Sequence, residues 1–88
     1  MGTTYTIVFT KTALKMLKKI DYPLQKLIKM KLTLLQNNFE SFSQNLKPLK
    51  GKKDFYRFRV ANYRVIFEKK NEKLILLIIR IGHRKEVY

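Results

Sequence analysis

Cysteine is absent from this 88-residue sequence, so it has neither a disulfide framework nor a thiolate site for a metal. Histidine occurs once, at His83, and one imidazole builds no zinc site without several carboxylate helpers. Carboxylates are scarce as well, with six Asp and Glu in all, and no metal or other cofactor is expected. Three Gly and two Pro are too few for a low-complexity or disordered tract. Apolar runs are short, none reaching the eighteen or so residues of a membrane span. The opening Met1-Gly2-Thr3-Thr4-Tyr5 lacks the cationic start and apolar stretch of a secretory leader. These absences point to a cytoplasmic protein with no membrane partner. The length leaves room for one domain, spanning 1–88.

Positive charge dominates what is present. Twenty Lys and Arg give a net charge of +14, far more than solubility demands, and such an excess calls for a polyanionic partner. The later half carries most of it: thirteen of the cations and four of the anions lie from Asn45 onward. The chain is also 45% hydrophobic and 12% aromatic, a composition that packs a core.

Local patterns place the elements. Residues 4–9, Thr-Tyr-Thr-Ile-Val-Phe, are β-branched and aromatic and predict a first strand. Thr10 suits a helix N-cap, with Phe9 and Leu14 spaced as a hydrophobic staple. A helix over 11–20 then puts Ala13, Leu14, Leu17 and Ile20 on one face and Lys11, Lys15, Lys18 and Lys19 outside it. Asp21-Tyr22-Pro23 breaks this helix and starts another over 23–35, because proline lacks an amide hydrogen that the first helical turn leaves unpaired anyway. Leu24, Leu27, Ile28, Leu32 and Leu35 give the second helix its apolar face. Residues 38–53 show no clean periodicity and are expected to form a connector carrying Lys47, Lys50, Lys52 and Lys53, candidates to bind the polyanion. Three strands follow, at 55–60, 63–68 and 73–81. The predicted fold class is α+β: an N-terminal strand, a helical hairpin, then an antiparallel β-meander packed on the helices, all in one antiparallel sheet.

Register sharpens this outline. A two-residue turn at Ala61-Asn62 pairs Val60 with Tyr63, Arg59 with Arg64 and Phe58 with Val65, and directly paired residues share a face. Alternation sends Tyr56, Phe58, Val60, Tyr63, Val65 and Phe67 to the core and Arg57, Arg59 and Arg64 to the opposite side. An even second turn around Lys70-Asn71 carries Leu77, Ile79, Ile81 and finally His83 onto the arginine side. Like charges directly across a strand pair are destabilising, so stability alone does not select Arg59 opposite Arg64, and an anion between them relieves the cost. Any one of these arginines, taken singly, is an ordinary solvated residue on an amphipathic strand.

Each candidate residue has a chemistry. Guanidinium groups match phosphate oxygens in a bidentate fork and stay charged, which suits stabilisation of a phosphodiester transition state and not proton transfer. Histidine is the side-chain type that changes charge nearest neutral pH, which makes His83 the first candidate for proton transfer. Tyr88 has the groups to protonate or hold a leaving group or to stack on a base, or it is a terminal aromatic with no role. Glu68 and Glu86 are alternative bases or simply surface carboxylates beside lysines.

The segments Leu49-Lys50-Gly51, Tyr56-Arg57-Phe58-Arg59-Val60, Asn62-Tyr63-Arg64-Val65 and Gly82-His83-Arg84-Lys85-Glu86-Val87-Tyr88, in this order and spacing, resemble the RelE branch of the RelE/ParE superfamily. With the early strand and helical hairpin, the resemblance spans nearly the whole chain. It implies a RelE-like fold and a toxin of a type II toxin–antitoxin system. Such a toxin is an endoribonuclease that cuts messenger RNA, in several relatives at the ribosomal A site, and is neutralised by a cognate antitoxin. The implied reaction needs no metal: the 2′-hydroxyl attacks the adjacent phosphorus, leaving a 2′,3′-cyclic phosphate and a 5′-hydroxyl. By position, Arg57 and Arg59 match a basic pair, Arg64 matches a phosphate-binding arginine, Arg84 matches a basic residue after the last strand, and Tyr88 matches a tyrosine that stacks on or orients the substrate. The familiar bacterial pattern has lysines in place of Arg57, Arg59 and His83, so the proton-transfer role of His83 rests on its own chemistry. Two other readings compete: a ParE-like gyrase inhibitor that cuts no RNA, and a non-catalytic basic module that coats nucleic acid.

Overall fold

The computed structural model describes residues 4–39, 42 and 46–83. Strand β1 (Thr6–Phe9) leads into helix α1 (Lys11–Lys18) and helix α2 (Tyr22–Asn37). Strands β2 (Leu46–Pro48), β3 (Phe55–Val60), β4 (Tyr63–Lys70) and β5 (Ile75–His83) follow, and the five strands form one sheet in the order β1-β5-β4-β3-β2.

The predicted α+β architecture is the one observed, with two corrections. First, β1 pairs parallel to β5, Thr6 opposite Ile75 and Phe9 opposite Ile78, so the sheet is mixed. Nothing local decides this direction, because the two strands are joined only through the whole intervening chain and no tight turn dictates an antiparallel return. Second, the supposed connector contains an edge strand: β2 lies antiparallel to β3, with Lys47 opposite Arg57 and Pro48 opposite Tyr56. Three residues are too few to show alternation, and Pro48 is tolerated because an edge strand leaves one row of amides outside the ladder.

Both helices pack on one side of the sheet. Thr10 caps α1 as expected, its hydroxyl oxygen accepting from the Ala13 amide at 3.1 Å. Ala13 and Leu17 are buried, but Leu14 is 41% exposed, so the staple with Phe9 does not place it in the core. At the break between the helices, the Gln25 side-chain amide donates to the Ile20 carbonyl at 2.7 Å and satisfies a group that the end of α1 leaves unpaired. Ile28, Leu32 and Leu35 of α2 are buried, with Leu24 and Leu27 packed at the margin.

The sheet meets the helices with Phe58, Val60, Val65, Phe67, Leu76, Ile78 and Ile81. An aromatic group closes one end of the core: Phe39 lies edge-on to Tyr56 and Phe67, and Tyr56 stacks on Phe67 at 5.7 Å. The Lys69 ammonium sits 4.1 Å from the centre of the Phe39 ring, an arrangement that covers the group with a charge attracted to its π face. No polar or charged side chain among the described residues is buried in this core. No helix of the described residues is long and apolar enough to cross a membrane.

Candidate phosphate-binding face

The hairpin between β3 and β4 has the predicted register: Val60 opposite Tyr63, Arg59 opposite Arg64, Phe58 opposite Val65. Its two-residue turn is made at the cost of Ala61, whose φ of 54° lies in the left-handed region that favours glycine. Arg57, Arg59 and Arg64 therefore share the side of the sheet turned away from the helices. Lys47 joins them, because it pairs with Arg57.

The β4–β5 pairing begins as expected and then departs. Lys70 pairs with Ile75 and Glu68 with Leu77 across a turn of four residues, and Leu77 falls on the arginine side as predicted. Between Ile66 and Phe67 the register shifts: Phe67 pairs with Ile78 but Ile66 pairs with Arg80, leaving Ile79 without a partner on β4. This is a β-bulge, two residues opposite one, and it reverses the facing of everything that follows it on β5. Ile81 now pairs with Val65 and enters the core, where it is 1% exposed.

The bulge overturns the expectation for His83, and for Ile81 before it. His83 pairs with Tyr63, which places it on the helix side of the sheet. There the two rings meet edge-on at 5.7 Å, and His83 lines a pocket of about 310 Å³ with Met16, Lys19, Ile20 and Ile81. The bulge brings Arg80 to the arginine side instead. A regular strand would have directed Arg80 into the core and Ile81 out of it. Burying an unpaired guanidinium costs several kcal/mol, while burying an isoleucine contributes about 2 kcal/mol, so the bulge is the register that burial selects. Sequence reasoning missed Arg80, although a signal was there: Arg80 has the same parity as Leu76 and Ile78, a charged residue at a core position.

The result is a cluster of four guanidinium groups, three of them arranged around Arg64. Arg59 is directly opposite it on β3; Arg57 on β3 and Arg80 on β5 are its diagonal neighbours, at about 7–8 Å between backbones by ladder geometry. Gly82, directly opposite Arg64 on β5, adds no side chain there. Arg59 and Arg80 are exposed, Arg57 and Arg64 half-buried, and the Nη1 of Arg64 is shielded from solvent. Ile66 forms an apolar floor between Arg57 and Arg80. Glu68 lies on the same side, further along β4, where its carboxylate is 3.6 Å from the Lys70 ammonium. Lys50, Lys52 and Lys53 are exposed in the loop after β2, and the Lys52 ammonium lies 5.5 Å from the Phe55 ring centre. Arg84, Glu86 and Tyr88 lie outside the described residues.

The fold and the sequence match a known class. An isolated E. coli RelE toxin superposes with a TM-score of 0.78 over 97% of this chain and 92% of its own, at 27% identity. RelE in the RelB–RelE antitoxin–toxin complex from Methanococcus jannaschii gives 0.74 at 32% identity, covering 92% of this chain and 94% of its own. In sequence, the Toxin RelE3 of Methanocaldococcus jannaschii is 33% identical over 84 residues, 93% of each chain. The profile of the ParE toxin of type II toxin–antitoxin systems (parDE) matches residues 7–88. The chain belongs to the RelE/ParE superfamily of toxins of type II toxin–antitoxin systems.

Proposed function

We propose that this toxin is a metal-independent endoribonuclease that cleaves messenger RNA at the ribosomal A site. The observation that carries the reading is the cluster of guanidinium groups centred on Arg64, with Arg57 and Arg59 beside it. A phosphorane formed by attack of the 2′-hydroxyl gains negative charge on its equatorial oxygens, and positioned guanidinium forks stabilise that charge more than they stabilise the ground state. Fixed arginines supply this stabilisation without a metal, and any cleavage of RNA off the ribosome is expected to persist in EDTA. The cost of holding Arg59 opposite Arg64 is relieved when the anion is bound.

The facing of His83 argues against a direct part in proton transfer at a phosphate held by Arg64. Catalysis then rests mainly on charge stabilisation and positioning, with Arg84 and Tyr88 as further contributors from the end of the chain. Lys47 extends the cationic face, and Lys50, Lys52 and Lys53 attract the RNA backbone from the adjacent loop. The physiological partners in this reading are messenger RNA, the ribosome and a cognate antitoxin; relatives of the same fold are known in complexes with RelB antitoxins. Its place of action is the cytoplasm.

The test is cleavage of messenger RNA, free and on programmed ribosomes, with the cut ends mapped. The native chain is expected to leave 2′,3′-cyclic phosphate ends, Arg64→Ala to lose about 10²- to 10³-fold in rate, and His83→Ala to stay within a few-fold of native. A second reading has an observation of its own, since the matching profile is that of the ParE toxin. Inhibition of gyrase supercoiling by a preparation that leaves RNA intact on and off the ribosome would establish that reading instead.

A further inference from the structure

The bulge in β5 does more than keep a charge out of the core. Ile79, the residue without a partner on β4, accepts a hydrogen bond at its carbonyl from the Thr10 hydroxyl at 3.2 Å, while the same Thr10 oxygen accepts from the Ala13 amide. The Thr10 amide donates to the neighbouring Ile78 carbonyl at 3.0 Å. One residue thus caps α1 and ties down the irregular stretch of β5, so the facing of Arg80 is fixed by the body of the protein.

Arg80 occupies a distinct position within the cationic face. It stands in a row that crosses four strands, Lys47 on β2, Arg57 on β3, Ile66 on β4 and Arg80 on β5. At roughly 4.8 Å per strand, the backbones of Arg57 and Arg80 are about 10 Å apart. Arg59 and Arg64 form the next row, two residues or about 7 Å further along the strands. Arg80 therefore reaches Arg64 from the side opposite to Arg57 and Arg59, on the only strand of the cluster whose next outward position, Gly82, adds no side chain. Glu68, the acid on this side of β4, is the other diagonal neighbour of Arg80, across the bulge, and its carboxylate lies 3.6 Å from the Lys70 ammonium.

We infer that Arg80 anchors the phosphodiester next to the scissile one on single-stranded RNA, and so sets substrate affinity without taking part in the chemical step. The inference rests on the reading that the polyanion is RNA. An exposed guanidinium beside an apolar floor, displaced by one position from the central pair, has the geometry to hold a neighbouring phosphate while Arg64 holds the reacting one. An interaction of this kind is made equally in the ground state and the transition state, so its removal raises KM and leaves kcat alone.

The test uses a short 2′-O-methyl RNA, which binds and cannot be cut, and a separate cuttable RNA or programmed ribosome. Arg80→Gln is expected to weaken binding of the 2′-O-methyl strand five- to tenfold near 0.1 M salt. It should also reduce the slope of log affinity against log salt by about 0.7, one phosphate's worth for a single strand. Arg80→Lys should recover part of both. Lys26→Gln, which removes a charge from the exposed side of α2, should change neither. In cleavage, Arg80→Gln should raise KM with kcat within twofold of native. Unchanged affinity and salt slope in Arg80→Gln would overturn the anchor, as would a fall in kcat at constant affinity. The two readings fail separately. A native chain that binds the 2′-O-methyl strand through Arg80 but cuts no RNA loses the ribonuclease and keeps Arg80 only as a backbone contact to bound RNA. A chain that cuts RNA through Arg64 and is indifferent to Arg80 loses the anchor alone.

Discussion

The two sides of the sheet follow different rules although they are built from the same strands. On the helix side, Phe58, Val65, Phe67, Ile78 and Ile81 join Ala13, Leu17, Ile28, Leu32 and Leu35 in one buried apolar cluster. On the other side, Arg59 faces Arg64, with Arg57 and Arg80 diagonal to it, an arrangement in which neighbours repel. The first side is organised for stability; the second holds charge in place against a local cost. The contrast supports the proposed site: a departure from the most stable choice is expected where a ligand of opposite charge is held.

The largest effect expected from breaking this contrast comes from Ile81→Arg, which puts a charge on the helix side. An unpaired guanidinium then replaces a core side chain opposite Val65, with a loss of about 4 kcal/mol or more. Urea or thermal unfolding measures it, and near-native stability would show that the helix side is not closed to charge. Arg64→Ala comes next. Its loss of cleavage corresponds to about 2.7–4 kcal/mol of transition-state stabilisation, whereas its cost in unfolding free energy should be much smaller, about 1 kcal/mol or less, which separates the proposed functional side from the structural one. Thr10→Ala removes both the α1 cap and the tie to Ile79, and a loss of about 1–2 kcal/mol is expected in the same unfolding experiment. Arg59→Thr tests the cost of the arginine pair directly. Relief of repulsion should stabilise the chain by about 0.2–1 kcal/mol, raising the melting temperature while cleavage declines. The smallest effect belongs to the turn: Ala61→Gly relieves the left-handed backbone and should stabilise by up to about 1 kcal/mol, with activity unchanged.

Much of this division was legible from local pattern. The alternation in Tyr56–Val60 and Tyr63–Phe67, joined by a two-residue turn, placed three of the four arginines and the central Arg59–Arg64 pair correctly. The helical faces were readable to the same degree, except that Leu14 lies just outside the buried stripe defined by Ala13 and Leu17. β2 was not readable, because three residues with a proline carry no period. The side occupied by His83 was also misjudged, since parity was extended through Arg80 as though β5 were regular.

By itself, then, the sequence determined the large excess of positive charge, the two amphipathic helices and the hairpin that sets Arg59 against Arg64. Each of these depends on residues close together in the chain, where hydrophobic period and turn length act directly. Tertiary structure alone decided the parallel pairing of β1 with β5, the edge position of β2 and the bulge that exchanges Arg80 for His83 on the arginine face. Those outcomes turn on which residues one shared core can bury. The cost of a guanidinium inside that core, set against the gain from Ile81, outweighed the regular alternation that local pattern prescribes.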